Sequence, residues 1–253
     1  MNIIMTGSTS FVGAATVREL LRRGHTVTAI VRPKSSKLDT ILEGNEEALL
    51  SGRLLVTEND LSEPEKLLEK VTKPQDVFCH FGWGGSGSAS RTDKALQEKN
   101  MEISLETART AEALGCSKFL FSGSQAEYGM HRDLITEETV CEPKSLYGEA
   151  KLAMREKGEK LCSELGLRYI HARIFSAYGP GDHPWTLVES CLDAFLDNKE
   201  ISLGACTQNW NFLYIDDLAR GMAALCEAQE SAFEKISNPV FNFGGAETKV
   251  LKE

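Results

Sequence analysis

Through its first 175 residues the chain alternates short β-branched or aliphatic runs with stretches of helical periodicity. The runs are Asn2–Met5, Thr26–Val31, Leu54–Thr57, Asp76–Phe81, Lys118–Ser122 and Arg168–Ile174. Helical patterns fall near Val12–Arg23, Glu63–Val71, Asp93–Leu114 and Leu146–Leu165. Near-continuous apolar strands alternating with helices restrict the chain to a parallel sheet covered on both faces. In Val12–Arg23 the apolar Val12, Val17, Leu20 and Leu21 share one face, with Arg18, Arg22 and Arg23 opposite. Gly24 then ends the helix as a C-terminal capping residue would. After Ile174 the rhythm changes: "YGPGDHPW" is rich in turn residues, and "CTQNWNFLYIDD" reads as a short strand feeding a helix capped by Asp216 or Asp217.

At 253 residues the chain can bury one large core with a smaller lobe attached. A net charge of −9 gives no electrostatic footprint for nucleic acid, so no nucleic-acid partner is expected. No apolar run approaches the length that crosses a bilayer, and the N-terminus lacks the basic region of a signal peptide, so no membrane partner is expected. The seven cysteines (79, 116, 141, 162, 191, 206 and 226) are odd in number and contain no Cys-x-x-Cys pair. They read as reduced, mostly packed thiols of a cytoplasmic protein, and no metal site is expected from the Cys and His spacing.

The first strand breaks into Gly7-Ser8-Thr9-Ser10-Phe11-Val12-Gly13 before the first helix. A glycine-rich turn there suits a dinucleotide pyrophosphate, because the helix N-terminus offers unpaired N–H groups and glycines admit close approach. A purely structural turn is the alternative, and the glycines alone leave both open. Ser10 stands where a Gly-x-x-Gly-x-x-Gly loop has glycine; its hydroxyl would donate to a phosphate while its Cβ narrows the approach. Past the second strand comes Arg32, with Lys34 and Ser35 close behind, rather than an acid for the adenosine ribose. A guanidinium suits the 2′-phosphate of NADP, so NADP is the expected cofactor and NAD the alternative; a solvated basic turn is the competing reading.

Tyr147 and Lys151 lie four residues apart on a helix and so share a face. A free phenol is too weak an acid to work as a base at neutral pH, and an adjacent ammonium is expected to lower its pKa. A surface helix pair is the plain alternative. Ser124 ends the strand "KFLFSGS", at the edge where an open α/β sheet gathers its ligands, though a turn serine is commonly just a cap.

Taken together, "TGSTSFVG", "NDL" at 59–61, "HFGW" at 80–83, "FSGSQAEYG", "YGEAK", "ARIFSAYGPGD" and "FLYIDDLA" resemble the extended short-chain dehydrogenase/reductase family, the nucleotide-sugar epimerases and reductases typified by UDP-galactose 4-epimerase. The resemblance runs from Asn2 to about Gly245. It implies an α/β fold, a doubly wound parallel Rossmann sheet over residues 1–174 with a small C-terminal substrate lobe in 175–253 interleaved with that sheet. It implies Tyr147 as catalytic acid/base, Lys151 as the lysine that holds the nicotinamide ribose and tunes the phenol, and Ser124 as the hydroxyl bonded to the reacting oxygen. Gly7, Ser10, Phe11, Val12 and Gly13 would cradle the cofactor with Arg32. Asp60 and Leu61 would flank its adenine, and Phe81 and Gly82 would line its path. By the same resemblance Asn100 is structural, Asp217 anchors the C-terminal lobe, and the protein is a homodimer.

The chain also departs from the family pattern. Family dehydratases carry an Asp-Glu pair after the Ser/Thr, where this chain has Gln125 and Ala126, so dehydration is disfavoured. Trp210 stands where many members have a pyrophosphate-clamping Arg, and Ser176 where Asn is common. Relatives usually continue past "GGAETKVLKE" through at least one more helix, so a C-terminally truncated chain is an expectation. His80, His131, His171 and His183 read as packing or surface residues, and Trp185 as a pocket or core aromatic. The expected function is hydride transfer at a carbinol or ketone carbon of a nucleotide sugar, by reduction of a 4-keto sugar or by 4-epimerisation. The rivals are a reductase of a non-sugar ketone and a dinucleotide sensor without turnover.

Overall fold

The computed structural model describes residues 1–85, 87, 89–236 and 238–252. Its main sheet has seven parallel strands: β1 (Asn2–Thr6), β2 (Thr26–Val31), β3 (Leu54–Glu58), β4 (Val77–His80), β5 (Lys118–Ser124), β6 (Arg168–Ile174) and β9 (Val240–Phe243), in the spatial order β3-β2-β1-β4-β5-β6-β9. The order reverses between β1 and β4, which places the topological switch point of the sheet there.

Alternation along the strands explains the two cores. Ile3 and Met5 of β1, Val27 and Ala29 of β2 and Cys79 of β4 face α1 (Phe11–Arg22) and α8 (Ile215–Glu227). The intervening Ile4, Ile30 and Phe78 face α4 (Leu67–Lys70), α5 (Lys94–Ala113) and α6 (Leu146–Glu164). Successive strand residues point to opposite faces, so covering both faces demands strands that are apolar throughout. From α8, Leu218, Met222 and Cys226 are all fully buried, and burying a Leu or Met side chain is worth roughly 1.5–3 kcal/mol.

The segment expected as one helix from Glu63 to Val71 is a 3-10 turn at Pro64–Lys66 running into the four-residue α4. Two further short helices, α2 (Asp39–Leu42) and α3 (Glu46–Leu50), lie between β2 and β3.

After β6 the chain builds a second sheet from β7 (Ser176–Tyr178), β8 (Asn209–Tyr214) and β10 (Thr248–Val250), in the order β10-β8-β7. Helix α7 (Leu187–Leu196) lies between β7 and β8 and has no buried residue, while α9 (Glu230–Phe233) precedes β9. The expected strand into a helix at "NWNFLYIDD" is β8 into α8. The expected cap is corrected: α8 starts at Ile215, no side chain caps it, and Asp216 and Asp217 occupy its first turn, where acidic groups favour the helix dipole. Asp217 pairs with Arg220 on its own helix, both half-exposed, rather than anchoring the lobe.

Candidate active site

The chain leaves β1 through Gly7, whose φ of +70° favours glycine. A Cβ on Gly7 would lie 2.7 Å from the Gly82 amide nitrogen, and one on Gly13 would lie 2.1 Å from the Gly7 carbonyl oxygen. The loop therefore closes on the start of α1 and on the segment after β4. Ser10 caps α1: its hydroxyl oxygen accepts the Gly13 N–H at 3.1 Å. Its oxygen is thus a helix cap first, a role the reading as a phosphate donor had not included. The amides of Phe11 and Val12 have no intramolecular partner among the described residues and stand at the positive end of the helix. That pair of free donors beside a glycine cradle fits a dinucleotide diphosphate.

The neighbouring expected residues divide into two groups. Phe81 and Gly82 sit directly against Gly7, and Leu61 lies under Gly82, within 2.8 Å of where a Cβ would stand. Arg32 and Asp60 follow β2 and β3 on the outer side of the sheet, both exposed. The Asp60 carboxylate accepts the Ser62 amide at 2.9 Å and the Ser62 hydroxyl at 2.6 Å, and these bonds hold it below the usual carboxylate range. Its side chain is thus engaged in its own turn.

A buried hydrogen-bond chain fixes the floor. The Gly82 N–H donates to Thr6 Oγ1 at 3.2 Å, and Thr6 Oγ1 lies 2.9 Å from His80 Nδ1. His80 Nε2 lies 3.0 Å from Ser104 Oγ, which itself donates to the Asn100 carbonyl at 2.8 Å. One proton direction satisfies every member: Thr6 donates to Nδ1 and Nε2–H donates to Ser104. Burial, with the nearby Lys151 charge, pushes His80 down to about 3, consistent with a neutral ring. The Asn100 side chain brackets Gly84, accepting its N–H at 3.0 Å and donating to its carbonyl at 2.8 Å.

Above this floor, β5 and α6 bring together Ser124, Tyr147 and Lys151. The Ser124 side chain stands near enough to the Tyr147 phenol to favour its ionised form. Lys151 is buried, donates from Nζ to the Ser122 carbonyl at 2.7 Å, and sits 3.9 Å from the Trp83 ring, 4.6 Å from Phe121 and 5.7 Å from Tyr147. Trp83 meets Tyr147 edge-on at 6.2 Å, and its Nε1 donates to Gln97 Oε1 on α5 at 2.9 Å. Trp83 adjoins Gly82, so the aromatic box connects the triad to the glycine loop.

The electrostatics differ from the expectation that Lys151 alone would lower the phenol. Burial pushes Tyr147 above its ordinary value, and the Ser124 side chain and the charge of Arg91 offset this only in part. Burial also pushes Lys151 down to about 7, with Glu127 opposing that drop. Enclosure is the leading cause for both groups, an effect that spacing along a helix does not reveal.

Beneath Ser124 lies a buried ionic cluster. Glu127 Oε2 accepts from Arg173 Nε at 2.7 Å, its Oε1 lies 2.9 Å from His171 Nε2, and it also accepts the Ser124 N–H at 2.8 Å. Burial works to raise this carboxyl, but His171 and Arg173 overcome it and hold it at about 2. The Ser124 hydroxyl oxygen accepts the Ala126 N–H at 3.2 Å, so Ser124 and Glu127 form a reciprocal capping box. Arg91, Trp83 and Glu127 are the residues of this site to which sequence reasoning gave no role. Trp83 and Arg91 come from a loop and a short turn with no periodicity, and Glu127 had only its place three residues after Ser124 as a signal. Trp185, expected in a pocket or core, is 72% exposed and stacks on His183 at 4.4 Å.

A family model described as the NAD dependent epimerase/dehydratase family matches residues 3–244. The chain belongs to this family. As a member it is an enzyme of the extended short-chain dehydrogenase/reductase type with a nicotinamide dinucleotide cofactor. A Bacillus subtilis protein described as an uncharacterized UDP-glucose epimerase is 29% identical over 280 residues, covering 100% of this chain and 79% of that protein. The Thermotoga maritima UDP-glucose 4-epimerase, solved with UDP-glucose, superposes with a TM-score of 0.82 at 25% identity, covering 100% of this chain and 79% of that one. The Bacillus cereus UDP-glucuronic acid 4-epimerase, solved with NAD, has the same fold, with a TM-score of 0.81 at 24% identity and coverage of 100% and 80%.

Proposed function

We propose that the protein transfers hydride at C4 of a nucleotide-linked hexose, with NADP as its preferred cofactor and reduction of a 4-keto sugar as its net reaction. The observation that carries this is the meeting of Ser124, Tyr147 and Lys151, from two distant segments, beside the Gly7–Gly82 contact. The glycine loop and the free amides of Phe11 and Val12 would hold the diphosphate, and Lys151 the nicotinamide ribose. Arg32 is the group for an adenosine 2′-phosphate, and Leu61, Phe81 and Gly82 line the adenine and ribose path.

Bound nicotinamide supplies the hydride donor or acceptor. In reduction Tyr147 gives its proton to the carbonyl oxygen as that oxygen gains the electron pair, and Ser124 orients it. In oxidation Tyr147 takes the hydroxyl proton instead. A phenol held above its ordinary value is protonated at neutral pH, which suits the reducing direction. Epimerisation would use the same groups twice: the carbinol loses hydride and its hydroxyl proton, and the resulting ketone takes both back with the hydride on its opposite face. The second sheet with α7 would form the substrate lobe, the protein would be a homodimer, and its seven free cysteines support a reducing, cytoplasmic compartment.

A second reading, reduction of a ketone that is not a sugar nucleotide, is favoured by Trp210. Its Nε1 is buried without a partner among the described residues, and it stands where a clamping Arg was expected. The test incubates the protein with NADPH or NADH and a panel of UDP- and dTDP-linked 4-keto hexoses and hexoses beside apolar ketones. Absorbance near about 340 nm reports net redox, and proton NMR reports epimers. Turnover of the sugar nucleotides supports the proposal; turnover of the apolar ketones alone replaces it with the second reading.

A further inference from the structure

We propose that Arg91 is a positioning residue for proton transfer: its guanidinium, held over the face of the Tyr147 ring, stabilises the negative charge that spreads into that ring whenever the phenol gives up its proton. The inference rests on the reading of Tyr147 as the acid/base group.

Arg91 lies on the 3-10 turn Ala89–Thr92, just before α5, and its Cζ stands 5.0 Å from the Tyr147 ring centroid. A cation over an aromatic face is attracted by the ring, and the attraction grows when phenolate charge is delocalised beneath it. Each element packed around the phenol contributes something different. Lys151, one turn along α6, is the other cation. Its Nζ is committed to the Ser122 carbonyl inside the box of Trp83 and Phe121. Burial also pushes its own ammonium down to about 7, which weakens the hold of that charge on the phenol. Glu127, from the turn after β5, is the anion among the described residues that opposes phenolate. Trp83 and Ser124 are neutral. Arg91 is the cation that lies over the face of the ring rather than inside the aromatic box. The direction of its effect on the phenol agrees: its charge favours the ionised form.

The test needs no substrate. The protein is labelled with tyrosine carrying 13C at Cζ, the Tyr147 signal is assigned by its loss in Tyr147→Phe, and the signal is followed across an alkaline titration. Arg91→Gln is expected to lower the phenolate fraction on the rising limb about three- to tenfold, and Arg91→Lys to remain within about twofold of the parent. Raising salt from about 0.01 M to 1 M is expected to move the parent the same way as Arg91→Gln, because this cation is exposed and screened, and to leave Arg91→Gln nearly still. An unchanged midpoint in folded Arg91→Gln overturns the proposal. A salt-insensitive parent overturns it without any variant. Full activity in Tyr147→Phe would instead overturn the acid/base role and leave the titration result standing.

Discussion

Gly7 and Gly82 touch through their backbones: a Cβ on Gly7 would stand 2.7 Å from the Gly82 amide nitrogen, at a φ of +70°. The contact ties the glycine loop to the segment that carries Trp83. Gly7→Ala meets both a left-handed backbone and fixed main-chain atoms, and neither can yield as a flexible side chain would. We expect a loss of about 2–5 kcal/mol in urea unfolding together with lost cofactor binding by calorimetry. A variant that unfolds and binds like the parent would contradict the close approach.

Tyr147→Phe removes the transferable proton and keeps the ring against Trp83 and Arg91. Turnover should fall about 10²- to 10⁴-fold, with the dissociation constant for NADP changing less than about threefold. Stopped-flow turnover and fluorescence binding on the same sample separate the two effects.

Arg32→Ala bears on the cofactor alone. Loss of a charged hydrogen bond to a 2′-phosphate predicts a rise of about 10- to 100-fold in the Michaelis constant for NADPH and no change for NADH. Parallel changes for both would remove NADP preference.

Buried His80 and Glu127 both shape the acid limb of stability, beside Glu19 on α1, which its bonds to Arg22 and Arg23 hold at about 2. His80 has a depressed folded value of about 3 against 6.5, so the stability from its neutral form is complete above 6.5 and lost as pH falls towards 3. Glu127, depressed from 4.5 to about 2, contributes stability that is complete above 4.5 and lost as pH falls towards 2. Glu127→Gln should therefore keep the decline between 6.5 and 4.5 and make the part below 4.5 shallower, with His80 and Glu19 still titrating there. At pH 7 it should cost about 3–5 kcal/mol, since Arg173 is left buried with a weaker partner. Urea unfolding at a series of pH values reads both.

The parallel sheet was legible because strands such as Ile3–Met5 and Phe119–Phe121 must be apolar on both faces, and helices as long as α1, α5 and α6 separate several of them. The spacing of Tyr147 and Lys151 placed them on one face of a helix, while their roles came from the family resemblance. The ionisation of the pair was not legible, because Phe121, Trp83 and Arg91 come from two other segments and act through enclosure and charge rather than order along the chain. The cap of α8 was misread because Asp216 and Asp217 look like caps, whereas the helix begins one residue earlier, at Ile215. Asp60 was expected beside the adenine only by the family resemblance, and its bonds to Ser62 follow from a turn geometry that no periodicity announces.

Strand β9 pairs with β6 from His171↔Val240 to Ile174↔Phe243, and residues 175–239 lie between the two in sequence. During translation the open backbone edge of β6 must wait for that whole excursion to emerge before its neighbour arrives. Until then it is a sticky template for other nascent chains. A ribosome pausing inside this stretch would leave the protein most vulnerable to aggregation at the moment Ser124, Tyr147 and Lys151 have already been made.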